Sequence, residues 1–321
     1  MCSTNSKFPR IAVVALGGNA ITREFEEGNI YQQFANTRRS LVGVVDLISQ
    51  GVSVIITHGN GPQVGNALIR VEEARHLVPP IPLGVLVADT EGGMGYMIEQ
   101  SLQNMLHRKG ISRQVATLLT QVIVDKNDPS IMNPTKFVGP FFREDQLEAI
   151  RKERGWAVRK DADRGWRRVV PSPRPVEIVE RRIIQKLVSD GTVVIACGGG
   201  GIPVYVEEDG AYEGVDGVVD KDRASAVLGL NIGAQELYIL TAVEKVALNF
   251  GTSRQRDLDR MTLAQAAEYL EAGEFPPGNM GPKIEAAIEF LEGGGEEVII
   301  TSMGKMAEAL HGGTGTRIVP A

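Results

Sequence analysis

Short apolar runs that stop abruptly at glycine set the pattern of this chain. Residues 12–16 form such a run, of a length that suits a strand buried on both faces, and it breaks into Gly17, Gly18 and Asn19. A polar segment over 22–33 follows. Apolar Leu41, Val44, Val45 and Ile48 then predict a helix over 36–50, stopped by Gly51. Residues 52–57 predict a second buried strand, which runs straight into His58, Gly59, Asn60 and Gly61. Strand, helix and strand in this order make a βαβ unit, with parallel strands and a right-handed crossover. Both strands therefore end on one edge of the sheet, and the two glycine turns lie side by side.

The same reading continues along the chain. A helix follows the 58–65 segment, then a Pro-rich loop at 79–82 and a long amphipathic helix over 90–109. Residues 114–124 predict a strand, 126–170 a polar, loop-rich excursion, and 175–190 a helix with proline in its first turn. A strand over 192–196 ends at Cys197 and four glycines, 198–201. A hairpin over 205–217 precedes Asp220, Lys221 and Asp222 at the start of a helix. Strands over 236–240 and 297–301, helices over 262–272 and from Lys283, and a short last strand at 317–319 complete the pattern.

Glycine clusters thus close three strands, at 17–18, 59–61 and 198–201, and small residues close two more, at 241–242 and 302–304. One such turn is an unremarkable loop. Several on one edge form a groove lined by backbone N–H donors, which suits phosphate. The chain has no G-x-x-x-x-G-K-[ST] and no G-x-G-x-x-G, which argues against Walker-type and dinucleotide sites. Lys221, between two aspartates, and Lys283, after a Gly-Pro turn, stand at helix openings where a phosphoryl-transfer site needs compact positive charge. Each alone reads more readily as an exposed surface lysine. The four histidines lack metal-ligand spacing, and His58, at the groove's border, reads as structural.

Composition narrows the classes. Net charge is −6, so no general attraction to nucleic acid or to a membrane surface is expected. Residues 126–170 instead carry eleven Lys/Arg against seven Asp/Glu, which makes them either a lid over an anionic substrate or a solvated excursion. Two cysteines, Cys2 and Cys197, make no disulfide framework, and no apolar run reaches bilayer length, so a cytoplasmic setting is expected.

VVALGGNAI (13–21), THGNGPQVG (57–65), NPTK (133–136), RRVVPSPRP (167–175), VVDKD (218–222) and NMGPK (279–283) together resemble the carbamate kinases of the amino-acid-kinase superfamily, over about residues 11–319. The resemblance implies a three-layer αβα sandwich around a mainly parallel open sheet, with an inserted lid subdomain at about 126–170. It implies an N-terminal lobe for carbamoyl phosphate (1–215), a nucleotide lobe (216–321), one sheet running through both, and a homodimer. The implied reaction is reversible, Mg2+-dependent phosphoryl transfer between carbamoyl phosphate and ADP, giving ATP and carbamate without a covalent intermediate. By position, Gly17, Gly18, Asn19, Gly59, Asn60 and Gly61 would face carbamoyl phosphate, and Lys136 would reach it from the lid. Lys221 and Lys283 would grip the moving phosphoryl, held by Asp222. Thr241, Ala242, Val243, Val246, Met280, Gly281 and Lys283 would lie along the nucleotide, with Mg2+ held mainly by phosphates. Asp89, Thr90 and Glu91 replace the small or neutral polar residues more usual in the family, and Phe137 replaces a proline. Two alternatives remain: a kinase of the same fold that uses another small acid, and a non-catalytic ligand-binding regulator.

Overall fold

The computed structural model describes residues 10–22 and 26–321, the side chains of Asn19, Ala20 and Asp163 excepted. Its centre is an eight-stranded sheet in the order Arg260–Thr262, Thr316–Val319, Glu297–Ser302, Glu236–Thr241, Ile11–Leu16, Ser53–His58, Val193–Ile195, Val115–Thr117. Every neighbouring pair is parallel except Glu297–Ser302 with Thr316–Val319.

The apolar runs are continuous because both faces of the sheet are covered. Along the first strand Val13 joins one core, beside helices Lys221–Ile232 and Gly281–Glu292. Ala12, Val14 and Leu16 join the other, beside helices Val42–Ser49 and Leu83–Arg108. This alternation gives three layers, αβα. Register pairs Leu16 with both His58 and Leu240, and Thr241 with Ser302, so these strands run out together on one edge.

Several elements differ from their sequence expectation, each for a local reason. The helix expected over 36–50 is two helices, Ile30–Ser40 and Val42–Ser49. Asn29 starts the first early, exchanging capping bonds with Gln32. The long helix begins at Leu83, directly after Pro82, and its first two turns sit on the small core that carries the 126–170 unit. The 114–124 strand is split: Val115–Thr117 belongs to the large sheet and Gln121–Val124 to a separate four-stranded one. Residues 175–190 hold an edge strand, Pro175–Ile178, before helix Arg181–Ser189, since an edge tolerates a residue without N–H.

The 126–170 excursion is not loop-rich. Strands Lys136–Phe142, Trp166–Val170 and Val158–Lys160 form their own sheet, and helix Leu147–Arg154 packs on it. Val138 and Val170 seat this unit on helices Gly61–Ala74 and Leu83–Arg108. Among the described residues no helix is long and apolar enough to cross a membrane.

Candidate functional site

The strand-end edge carries a cavity of about 420 Å³. Gly18, Gly59, Asn60, Gly61 and Gly199 form one wall, Lys221, Asp222 and Lys283 the floor, and Lys136, Phe137 and Arg167 the lid side. The glycine turns touch: a Cβ on Gly59 would come within 2.8 Å of the Gly18 backbone nitrogen and 3.3 Å of Lys221 Cδ. Only residues without side chains can close two adjacent strands this tightly. Gly61, Lys221 and Gly281 each open a helix of twelve or more residues at this place. Their positive dipole ends bias the cavity toward an anion, although Asp220 already takes the Asp222 and Arg223 N–H groups at the Lys221 helix.

The floor is a buried charge cluster. Asp222, 2% exposed, accepts from Lys221 through one carboxylate oxygen and from Lys283 Nζ at 3.0 Å through the other. Burial pushes the Asp222 carboxyl up, but the two lysines outweigh it and hold it below its ordinary value. Burial lowers Lys221, and Asp222 partly restores it. Asp220 caps the helix, accepting from the Asp222 N–H at 3.0 Å, and stands 3.9 Å from Lys136 Nζ. Thr57 Oγ1 lies 2.6 Å from Ser225 Oγ, which donates to the Lys221 carbonyl at 2.6 Å. That link fixes the start of the helix against the strand ending at His58. His58 itself is buried, and burial depresses its pKa to about 4, so it is neutral at physiological pH.

A second, smaller cavity of about 80 Å³ opens further along the edge. Thr241, Ala242, Val243 and Met280 line it, joined by Lys245, Phe250, Phe275 and Asn279. Val246 and Gly281 lie behind it. Val246 is wholly buried and donates its N–H to Thr316 Oγ1, and Gly281 packs on the Pro276 carbonyl. Gly17 is likewise set back, against the Leu240 carbonyl. The Asn19 side chain lies outside the described residues.

Sequence reasoning did not single out Arg167, Asp220 or Phe250 as lining residues. Asp220 was findable as a capping aspartate before a helix. Arg167 was not, because its place depends on the lid sheet: Nη1 donates to Asp161 at 3.1 Å and Nε to the Gly139 carbonyl, over the ring of Phe141. Among the described residues no three His, Cys, Asp or Glu converge as a metal site, and Asp222 is committed to two lysines. Among the described residues the protein's own donors therefore do not form a Mg2+ site.

Comparison with known proteins fits this geometry. The amino acid kinase family matches residues 10–302. A carbamate kinase of Pyrococcus furiosus is 45% identical, over 96% of this chain and 98% of that protein. The carbamate kinase-like protein YahI of Escherichia coli is 46% identical, again over 96% and 98%. Among solved structures, carbamate kinase from Giardia lamblia bound to AMP-PNP superposes with a TM-score of 0.92 at 38% identity, covering 97% of this chain and 98% of that one.

Proposed function

Since the chain belongs to the amino acid kinase family, on its carbamate kinase branch, we infer that it transfers a phosphoryl group between carbamoyl phosphate and ADP, giving ATP and carbamate. The observation that carries the reading is the Lys221–Asp222–Lys283 cluster, set at two helix starts and facing two abutting glycine turns. Both nucleophiles, the ADP β-phosphate oxygen and carbamate, are already anions, so neither needs a general base. The site accordingly offers no activated Ser or Cys, and the neutral His58 is buried behind the wall. The work left is positioning and charge stabilisation.

Carbamoyl phosphate occupies the larger cavity, its phosphate toward the glycine turns and its carbamoyl end under Lys136. Residues 17–19 and 59–61 hold its phosphate. The nucleotide lies in the smaller cavity along Thr241, Ala242, Val243 and Met280, with Gly281 and Val246 supporting that wall. Lys221 and Lys283 meet the phosphoryl group between the two, kept apart and aimed by Asp222. Mg2+ would be held by the nucleotide's phosphates, where it would offset their charge, and Asp222 stays with the two lysines. In this reading residues 1–215 serve carbamoyl phosphate and 216–321 the nucleotide, within a cytoplasmic homodimer whose mass analytical ultracentrifugation would report.

The test is ATP formation from carbamoyl phosphate, ADP and Mg2+, with acetyl phosphate as the competing donor. ATP from carbamoyl phosphate alone supports the assignment. Equal or better use of acetyl phosphate would move the protein to another acid, and no transfer at all would make it a binding protein.

A further inference from the structure

Helix Leu83–Arg108 passes beneath the cavity wall and sets two adjacent side chains, Thr90 and Glu91, under its two glycine arms. Thr90 Oγ1 accepts from Asn60 Nδ2 at 2.9 Å. The Asn60 carboxamide in turn fills the space over Gly199, where a Cβ would come within 2.1 Å of Nδ2. Glu91 is 1% exposed, and its Oε2 accepts the Thr120 N–H at 2.8 Å. Thr120 Oγ1 accepts the Cys197 N–H at 3.0 Å, which holds Cys197 at φ +50, a left-handed turn rare outside glycine. Glu91 also touches that turn directly. A Cβ on Gly198 would lie 2.9 Å from Glu91 Cγ and 2.5 Å from His58 Nε2.

We propose that Glu91 is a positioning residue of this active site, an uncharged carboxyl that sets the 197–201 turn, through Thr120 and Gly198, against Asn60. Among the described residues its buried Oε1 has no hydrogen-bond partner, and an unpaired charge there would cost far more than a neutral oxygen. Among the described residues the charged neighbour that acts on it is an acid, Glu180, and not a cation. His58 is held neutral, the Cys197 thiol is buried and pushed up, and Glu180 adds a further acid that accepts from the Gln121 N–H. Burial first, with Glu180 assisting and the Thr120 N–H opposing, raises the Glu91 pKa well above its ordinary value. Ionisation would place an unpaired charge against both arms of the wall.

The proposal rests on the carbamate kinase reading, so the experiment pairs kinetics with a readout independent of activity. Glu91→Gln keeps the shape and the acceptor to Thr120, and its kcat and both KM values are expected within about twofold of wild type. Glu91→Ala lets the turn relax, and kcat/KM for carbamoyl phosphate is expected to fall by about 10²-fold while KM for ADP stays within about twofold. Thermal unfolding gives the second readout. Because the folded pKa is raised, the stability held by the Glu91 proton is complete below the unfolded value of 4.5 and is lost as pH rises toward the folded value. The Tm of Glu91→Gln should therefore gain on wild type as pH rises from 5 toward 8. A Glu91→Gln variant as impaired as Glu91→Ala, or a Tm difference flat in pH, would overturn the proposal. Wild-type protein inactive on carbamoyl phosphate would overturn the reaction, while the Tm series still reports the Glu91 proton.

Discussion

At the scale of single residues, the site depends on one carboxylate shared by two lysines. Lys221 and Lys283 would repel if Asp222 were absent, and neither would keep its aim. Lys283→Ala should fold normally, because its side chain reaches into the cavity rather than the core, and should lose about 10²–10³-fold in kcat, the scale of one electrostatic stabiliser. A near-wild-type rate in a coupled ATP assay would remove Lys283 from the phosphoryl path. Asp222 carries a pH signature as well. Its folded pKa is depressed, so its contribution to stability is present above the unfolded value of 3.8 and is lost as pH falls through the lower folded value. Asp222→Ala should therefore be less stable than wild type at pH 7, and the gap in Tm should close as acid protonates the wild-type carboxyl. A gap that persists unchanged at low pH would mean Asp222 contributes packing rather than charge. Both lysines were legible in the sequence because each follows a helix-start signal. Glu91 was legible only as an odd charge, since its meaning lies in which turn it reaches.

At the scale of elements, the strands read well and their neighbours less so. A buried parallel strand announces itself as an apolar run ending in glycine, and Ile11–Leu16, Ser53–His58 and Val193–Ile195 all do. Pairing that joins distant segments leaves no such mark. Gln121–Val124 turns away from the large sheet at Thr120, where a threonine hydroxyl rather than a strand neighbour takes the Cys197 N–H. The 126–170 sheet was hidden for a related reason: its strands are short, charged and half exposed, and their order depends on stacking. Trp156 lies 4.3 Å from the Arg168 guanidinium, itself nearly buried and paired with Asp216. Lys136 is carried on the first lid strand to within 3.9 Å of Asp220. Lys136→Ala should raise KM for carbamoyl phosphate while leaving ADP affinity within about twofold, since its contacts lie wholly on the larger cavity's side. Lost nucleotide affinity in equilibrium titration would put the lid over the wrong substrate.

At the scale of the whole molecule, the two cavities share one loop. Residues 275–283 border both: Gly278 and Lys283 line the larger, Phe275, Pro276, Asn279 and Met280 the smaller. The sheet edge therefore presents two cavities in a row with Lys283 near their junction, the geometry that direct transfer between two bound anions would need. This division predicts a double dissociation. Phe250, 59% exposed at the mouth of the smaller cavity, offers an aromatic face to a nucleobase, and Phe250→Ala should weaken ADP binding by about tenfold, within the roughly 1–3 kcal/mol of base–aromatic stacking. KM for carbamoyl phosphate should not move, the mirror image of Lys136→Ala. Because the two residues sit on separate cavities, their effects on kcat/KM should multiply in the double variant. If Phe250→Ala instead raises KM for carbamoyl phosphate, the nucleotide does not occupy the smaller cavity, and the order of the two substrates along the edge must be reversed.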